Sequence, residues 1–281
     1  MRSDRQGDLF NNVGFPEPTS STCGKIPLQR GQDPSTLNDA ALLAAIPNAS
    51  RSEHAALIAE ALRRRPVGIV AALDALCRRF RGFGRRHPIA EQRSAVSAIA
   101  AVGGNEARRA LVAIIMDRVV EAAGVAATMA AARQSGCRLP ASIVLDLLRH
   151  PDPAVRADAA ACAPPGSAEV TAVLADLLED LHPQVAAAAA LALGAHGNER
   201  ARAPLLRLLL AAPNEEVIAA IAPVADADVL VRLGHIARAG GPAGDAALSA
   251  LENSEHERAA AILAALRRDV RAERGEQSVP P

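Results

Sequence analysis

Between residues 37 and 268 short apolar runs alternate with polar turns, and within each run apolar residues return at three- and four-residue intervals. That interval places them on one face of a helix, whereas a half-buried strand would alternate every second residue. The first such stretches are LNDAALLAAI (37–46), SEHAALIAEALRRR (52–65) and VGIVAALDALCRRF (67–80). Residues 1–36 show no period: they are polar, carry Pro16, Pro18, Pro27 and Pro34, and are expected to be a disordered tail. At the other end, RRDVRAERGEQSVPP (267–281) is predicted as a charged last turn and a frayed tail.

A longer period lies over the helical one. His87-Pro88, His150-Pro151 and His182-Pro183 each precede an apolar stretch, with starts 63 and 32 residues apart. Val155, Val185 and Val217 mark corresponding positions 30 and 32 residues apart. Asp152 suits a helix N-cap and Pro153 the first helical position, which turns Val155 and Ala159 inward one turn apart. A second marker is Gly104-Asn105-Glu106, repeated as Gly197-Asn198-Glu199, 93 residues later. Glycine there ends one helix, asparagine is expected to cap the next, and glutamate in the first turn suits the helix dipole. A period near 31 residues with two helices per period is the pattern of an α-solenoid. Each helix would have about 12 residues and run roughly 18 Å, with Leu174, Leu177, Leu178, Leu205, Leu206, Leu208 and Leu209 filling the shared core.

The stretch Asp152–Ala160, D-P-x-V-R-x-x-A-A, resembles a HEAT repeat, specifically the short bacterial type named after phycobilisome lyases. The resemblance spans roughly Pro88 to Leu266 and is densest from His150 to Leu210. It implies an all-α fold: a right-handed α-solenoid of HEAT-like helix pairs that binds a protein partner on its concave surface. The family name also brings in a bilin lyase-type enzyme as an alternative.

Composition narrows this picture. Of 281 residues 65 are Ala, the strongest helix former, while there are four Phe and neither Trp nor Tyr. So few aromatics exclude a base-stacking surface and weaken any likeness to HEAT-like DNA glycosylases, which line their concave face with aromatic and carboxylate residues. The longest apolar stretch, Val185–Ala195, is about half the ~20 residues of a membrane helix, so no membrane association is expected. Cys23, Cys77, Cys137 and Cys162 form no CxxC pair and are expected to be free thiols in a reducing cytoplasm. Net charge is zero, but residues 1–140 hold 19 basic and 12 acidic side chains and residues 141–281 hold 12 and 19. Such opposite poles suit end-to-end association or two different partners.

No set of residues points to catalysis. His-Glu occurs once, at His256-Glu257, so the repeated His-Glu ligand set of deoxyhypusine hydroxylase, a HEAT-fold di-iron enzyme, is absent. No metal, no cofactor and no enzymatic activity are expected. There is neither a GxSxG elbow nor a Walker-type loop, and Gly82-Phe83-Gly84 lacks the spacing of a phosphate cradle.

Two candidate binding features remain. Residues 51–93 contain ten Arg and four acids; Arg63, Arg64, Arg65, Arg78, Arg79, Arg81, Arg85 and Arg86 form a candidate basic patch for nucleic acid or an acidic protein. In the tail, Gln6-Gly7-Asp8-Leu9-Phe10 resembles the pentapeptide, usually Q-L-[S/D]-L-F, by which many bacterial proteins dock on the DNA sliding clamp. The resemblance gives Gln6 the directional hydrogen bonds, Leu9 and Phe10 an apolar pocket, and Asp8 the variable polar position; Gly7 departs from the preferred Leu. The expected organisation is a tail with a docking peptide (1–36), a helical capping region (37–86), HEAT-like repeats (87–268) and a carboxy-terminal tail (269–281). The expected function is a non-catalytic scaffold or adaptor binding another protein; the alternative is a replication- or repair-associated adaptor using the tail peptide and the Arg patch.

Overall fold

A computed structural model describes residues 33–276, with side chains as far as residue 269. The described residues form fifteen α-helices and no strand. They are α1 (Asp39–Ala45), α2 (His54–Arg64), α3 (Ile69–Arg79), α4 (Ala90–Val102), α5 (Gly104–Met116), α6 (Val125–Gln134), α7 (Ala141–Leu147), α8 (Pro153–Ala161) and α9 (Ala168–Asp176). They continue as α10 (Pro183–Ala195), α11 (Arg202–Ala211), α12 (Glu215–Ile221), α13 (Ala227–Ala239), α14 (Gly241–Glu252) and α15 (Glu257–Glu276). The three amino-terminal stretches read from the sequence become α1, α2 and α3. Helices α7 and α12 fall short of the expected length: Pro140 stands before α7, and α12 ends one residue before the turn Ala222-Pro223-Val224.

From α2 onward the chain is an α-solenoid in two rows. Helices α2, α4, α6, α8, α10, α12 and α14 lie side by side, each against the next, through the whole array. The odd-numbered helices form the second row, whose closest neighbours are α3 with α5, α7 with α9, and α13 with α15. Neither helix of a pair buries its apolar face alone, so each repeat depends on its neighbours.

Local chemistry fixes the helix starts. Side-chain oxygens of Asn38, Asp152, Asn198, Asn214 and Asp226 accept backbone N–H bonds of 2.8–3.0 Å from the first turns they precede. Each such cap contributes about 1 kcal/mol. The expected Asp152–Pro153 start is therefore as observed, and so is the cap at Asn198. The cap at Asn105 is not: α5 starts one residue earlier, with Gly103 and Gly104 both at positive φ, and Asn105 lies within the helix. Two glycines at that junction let the chain reverse before asparagine is reached.

Val155, Ala159 and Val185 are wholly buried and Val217 nearly so, as their spacing predicted. Of the seven leucines assigned to the core, Leu174, Leu205 and Leu209 are buried, whereas Leu177, Leu178, Leu206 and Leu208 are half-buried. The latter lie off the single stripe that the odd row presents to its pair-mate. Gly194 in α10 marks the tightest approach of the even row. A Cβ there would collide with the Leu205 side chain and the backbone carbonyl of Ala220 in α12.

A ladder of ion pairs ties each repeat to the next: Arg78–Asp117 (2.8 Å), Arg118–Asp146 (3.8 Å), Arg133–Asp158 (2.6 Å), Arg156–Asp180 (3.0 Å), Arg202–Asp226 (3.7 Å) and Arg238–Asp269 (2.7 Å). In each, Arg precedes the acid, so every rung places positive charge earlier in the chain than negative. Arg64–Asp39 runs the other way. Most rungs are solvated and contribute little. Arg156–Asp180 differs, because both side chains are largely buried and Arg156 also donates to the carbonyl oxygens of His150 and Pro151. Gln92 is a neutral counterpart: its buried amide donates to Cys77 O at 3.1 Å and Val119 O at 3.2 Å.

Candidate protein-interaction surface

The two rows differ in side-chain size, and that difference shapes the surface. Even-row helices present small residues at their surface, with Ala154, Ala195 and Ala219 exposed and Ala157, Ala161, Ala187, Ala188 and Ala192 half-buried. Small side chains let the axes of this row approach closely, while the bulkier odd row stays further apart. These alanines share the even-row face. On that face these alanines and Leu191 line a groove of about 650 Å3.

Polar groups stand at its ends. Arg133 holds Asp158 at 2.6 Å, and Arg138 donates to Ala161 O at 2.6 Å. Burial raises the Asp158 pKa, against the opposing pull of Arg133. His196 also lines the groove. Burial first, and then the charge of Arg138, push its pKa below the ordinary imidazole value. Its Nδ1 is buried with no hydrogen-bond partner among the described residues. Gln184 and Glu216 complete the polar rim.

The candidate Arg patch is largely turned to internal bonding. Arg63 and Arg64 both pair with Glu60, and Arg64 also donates to the carbonyl oxygens of Leu37 and Ser35. These two guanidinium groups hold the Glu60 pKa at about 2. Arg65 closes α2 in the left-handed conformation. Arg78 bridges Asp74 and Asp117, Arg79 donates to Ala49 O and lies 5.1 Å from the Phe80 ring, and Arg81 donates to Asp117 O. Arg85 reaches only 4.0 Å from Glu121; it and Arg86 are exposed beside exposed Phe83. Arg63, Arg64 and Arg65 stand at the end of α2, whereas Arg78 and Arg79 end α3 and Arg81, Arg85 and Arg86 lie between α3 and α4, so the eight do not converge on one spot. Gln6, Asp8, Leu9 and Phe10 lie outside the described residues, as does Cys23.

Cys77, Cys137 and Cys162 are free and buried. Burial pushes Cys77 and Cys162 up to about 12, which removes them as nucleophiles at neutral pH. Among the described residues no three His, Cys, Asp or Glu side chains are grouped to hold a metal ion. No described helix is long and apolar enough to cross a membrane.

The groove, unlike the Arg patch, escaped sequence reasoning, because its lining comes from four helices and spans residues 133–220. Its only local trace is the run of alanines in 186–190. No curated protein matches the chain. Residues 140–224, from just before α7 to the end of the turn after α12, match the family described as HEAT repeats, and this match supports a HEAT-repeat protein.

Proposed function

We propose that this protein is a non-catalytic HEAT-repeat scaffold that binds another protein along its even-row face. The observation that carries the reading is the groove of about 650 Å3 across α8, α10 and α12, paved with alanine and rimmed by charge of both signs. Alanine leaves room for the partner's side chains, and an apolar floor with a polar rim is the anatomy of a protein interface. HEAT repeats generally mediate protein interactions, and the segment matching that family, 140–224, contains most of the groove.

The test fills the groove without touching the core. Ala154 and Ala219 line it and are exposed, so Ala154→Arg with Ala219→Arg leaves the fold intact. Partners captured by the wild-type protein are expected to be lost from the double variant, with an unchanged thermal melt. An unchanged set of partners would show that the groove is not the binding face.

A further inference from the structure

Reversal of the chain at every helix end puts all connections from an odd helix to the next even helix on one edge of the solenoid. Bonds running along that edge bear this out: Arg81, after α3, donates to Asp117 O after α5; Arg118 pairs with Asp146 in α7; Arg156 joins the α7–α8 connection to Asp180 before α10. Four of the six exposed large apolar residues among those described lie on this edge, each at a different junction. They are Phe83 (α3–α4), Met116 (α5–α6), Leu181 (α9–α10) and Leu210 (α11–α12), exposed by 62%, 49%, 94% and 58%. The remaining two, Val67 and Leu248, lie at the α2–α3 turn and within α14. Next to the α5–α6 junction a cleft of about 460 Å3 opens between α5, α6 and α7, with Ile115, Ile143 and Leu147 in its walls beside Arg118, Glu121 and Asp146. An array of this kind, with a large apolar side chain at four of the five junctions from α3–α4 to α11–α12, is unfavourable to leave in water.

The outer junctions of this stretch carry opposite charge. The first junction carries exposed Arg85 and Arg86, and the fifth, at the start of α12, carries exposed Glu215 and Glu216. The middle junction carries both signs, with Asp146 and Arg149 exposed. The edge is therefore complementary to itself when turned end for end: Phe83 and Arg86 meet Leu210 and Glu215, Met116 and the cleft next to its junction meet Leu181, and the middle junction meets its own copy. We infer that two copies of this chain associate antiparallel through this edge, about a two-fold axis at the α7–α8 junction.

A two-fold pairing uses one patch twice, and this edge supplies both halves. The five junctions from α3–α4 to α11–α12, at the usual 8–10 Å between helices, give a strip of about 40 Å; two helix diameters make it roughly 20 Å wide. The product, about 800 Å2 per copy, is the size of a specific interface. Glu216 stands on both this edge and the rim of the even-row groove, but the pairing is carried by the edge residues and does not rest on the function proposed above.

The test is sedimentation of the full chain in low and high salt. Wild type is expected to sediment at twice the 29.0 kDa monomer mass, with weaker association in high salt. Leu181→Asp, at a side chain that supports nothing in the monomer, is expected to give monomer with an unchanged melt. Arg86→Glu and Glu215→Arg should each raise the dissociation constant by about tenfold or more, and the two together should restore it, since each would face the other across the axis. A wild-type monomer up to about 0.1 mM, the weak end of specific association, would overturn the inference. A dimer indifferent to Leu181→Asp, or one the double charge swap does not restore, would do the same.

Discussion

The even and odd rows are built from the same repeat, yet they solve opposite problems. Helix α10 carries alanine at 186–190 and glycine at 194, so that α8 and α12 approach on either side. Helix α11 carries five leucines, of which only Leu205 and Leu209 are buried. The small row fixes the spacing of the stack; the large row fills the interior and leaves clefts such as that between α5 and α7. Alanine excess in this protein thus has a geometric use beyond helix propensity.

The largest test of that contrast is Val185→Asp. Val185 is wholly buried, and an unpaired charge there is expected to cost at least about 4 kcal/mol and to unfold adjoining repeats with it. Calorimetry checks this, and an unchanged melt would mean the repeat register is wrong. Next is Gly194→Val, which would force apart α10, Leu205 and the Ala220 carbonyl; a loss of about 3 kcal/mol is expected. Leu210→Ser, on the exposed side of the odd row, should stay within about 0.5 kcal/mol in the monomer. If the two denaturation curves shift equally, the distinction between the rows fails.

Stability is also expected to depend on pH. The Arg156 guanidinium, aided by the backbone N–H of His182, holds the Asp180 carboxyl at about 2, below its ordinary 3.8. A depressed folded-state pKa means stabilisation present above pH 3.8 and lost as pH falls toward 2. Melts across this window should show the loss in wild type and a reduced loss in Arg156→Gln. Parallel profiles would remove this rung from the account.

Much of the fold was legible because its signals are local and periodic. Asp152-Pro153, Val155, Val185 and Val217 report helix starts and buried faces within a few residues of themselves. The surfaces were not legible, since their parts are distant in sequence. Each ladder Arg finds its acid 24 to 39 residues later, a separation no local pattern reveals. That direction also accounts for part of the positive first half and negative second half of a neutral chain. The Arg cluster shows the reverse: conspicuous in sequence, it largely disperses into clamps at Glu60, Asp74 and Asp117.

Amide hydrogen exchange followed by mass spectrometry tests the two-row account most directly. Backbone groups in the closely spaced row should open least, so α8 and α10 are expected to exchange more slowly than α7 and α9 under native conditions. Equal or faster exchange in α8 and α10 would contradict the claim that the alanine-rich row is the tightly spaced spine of the solenoid.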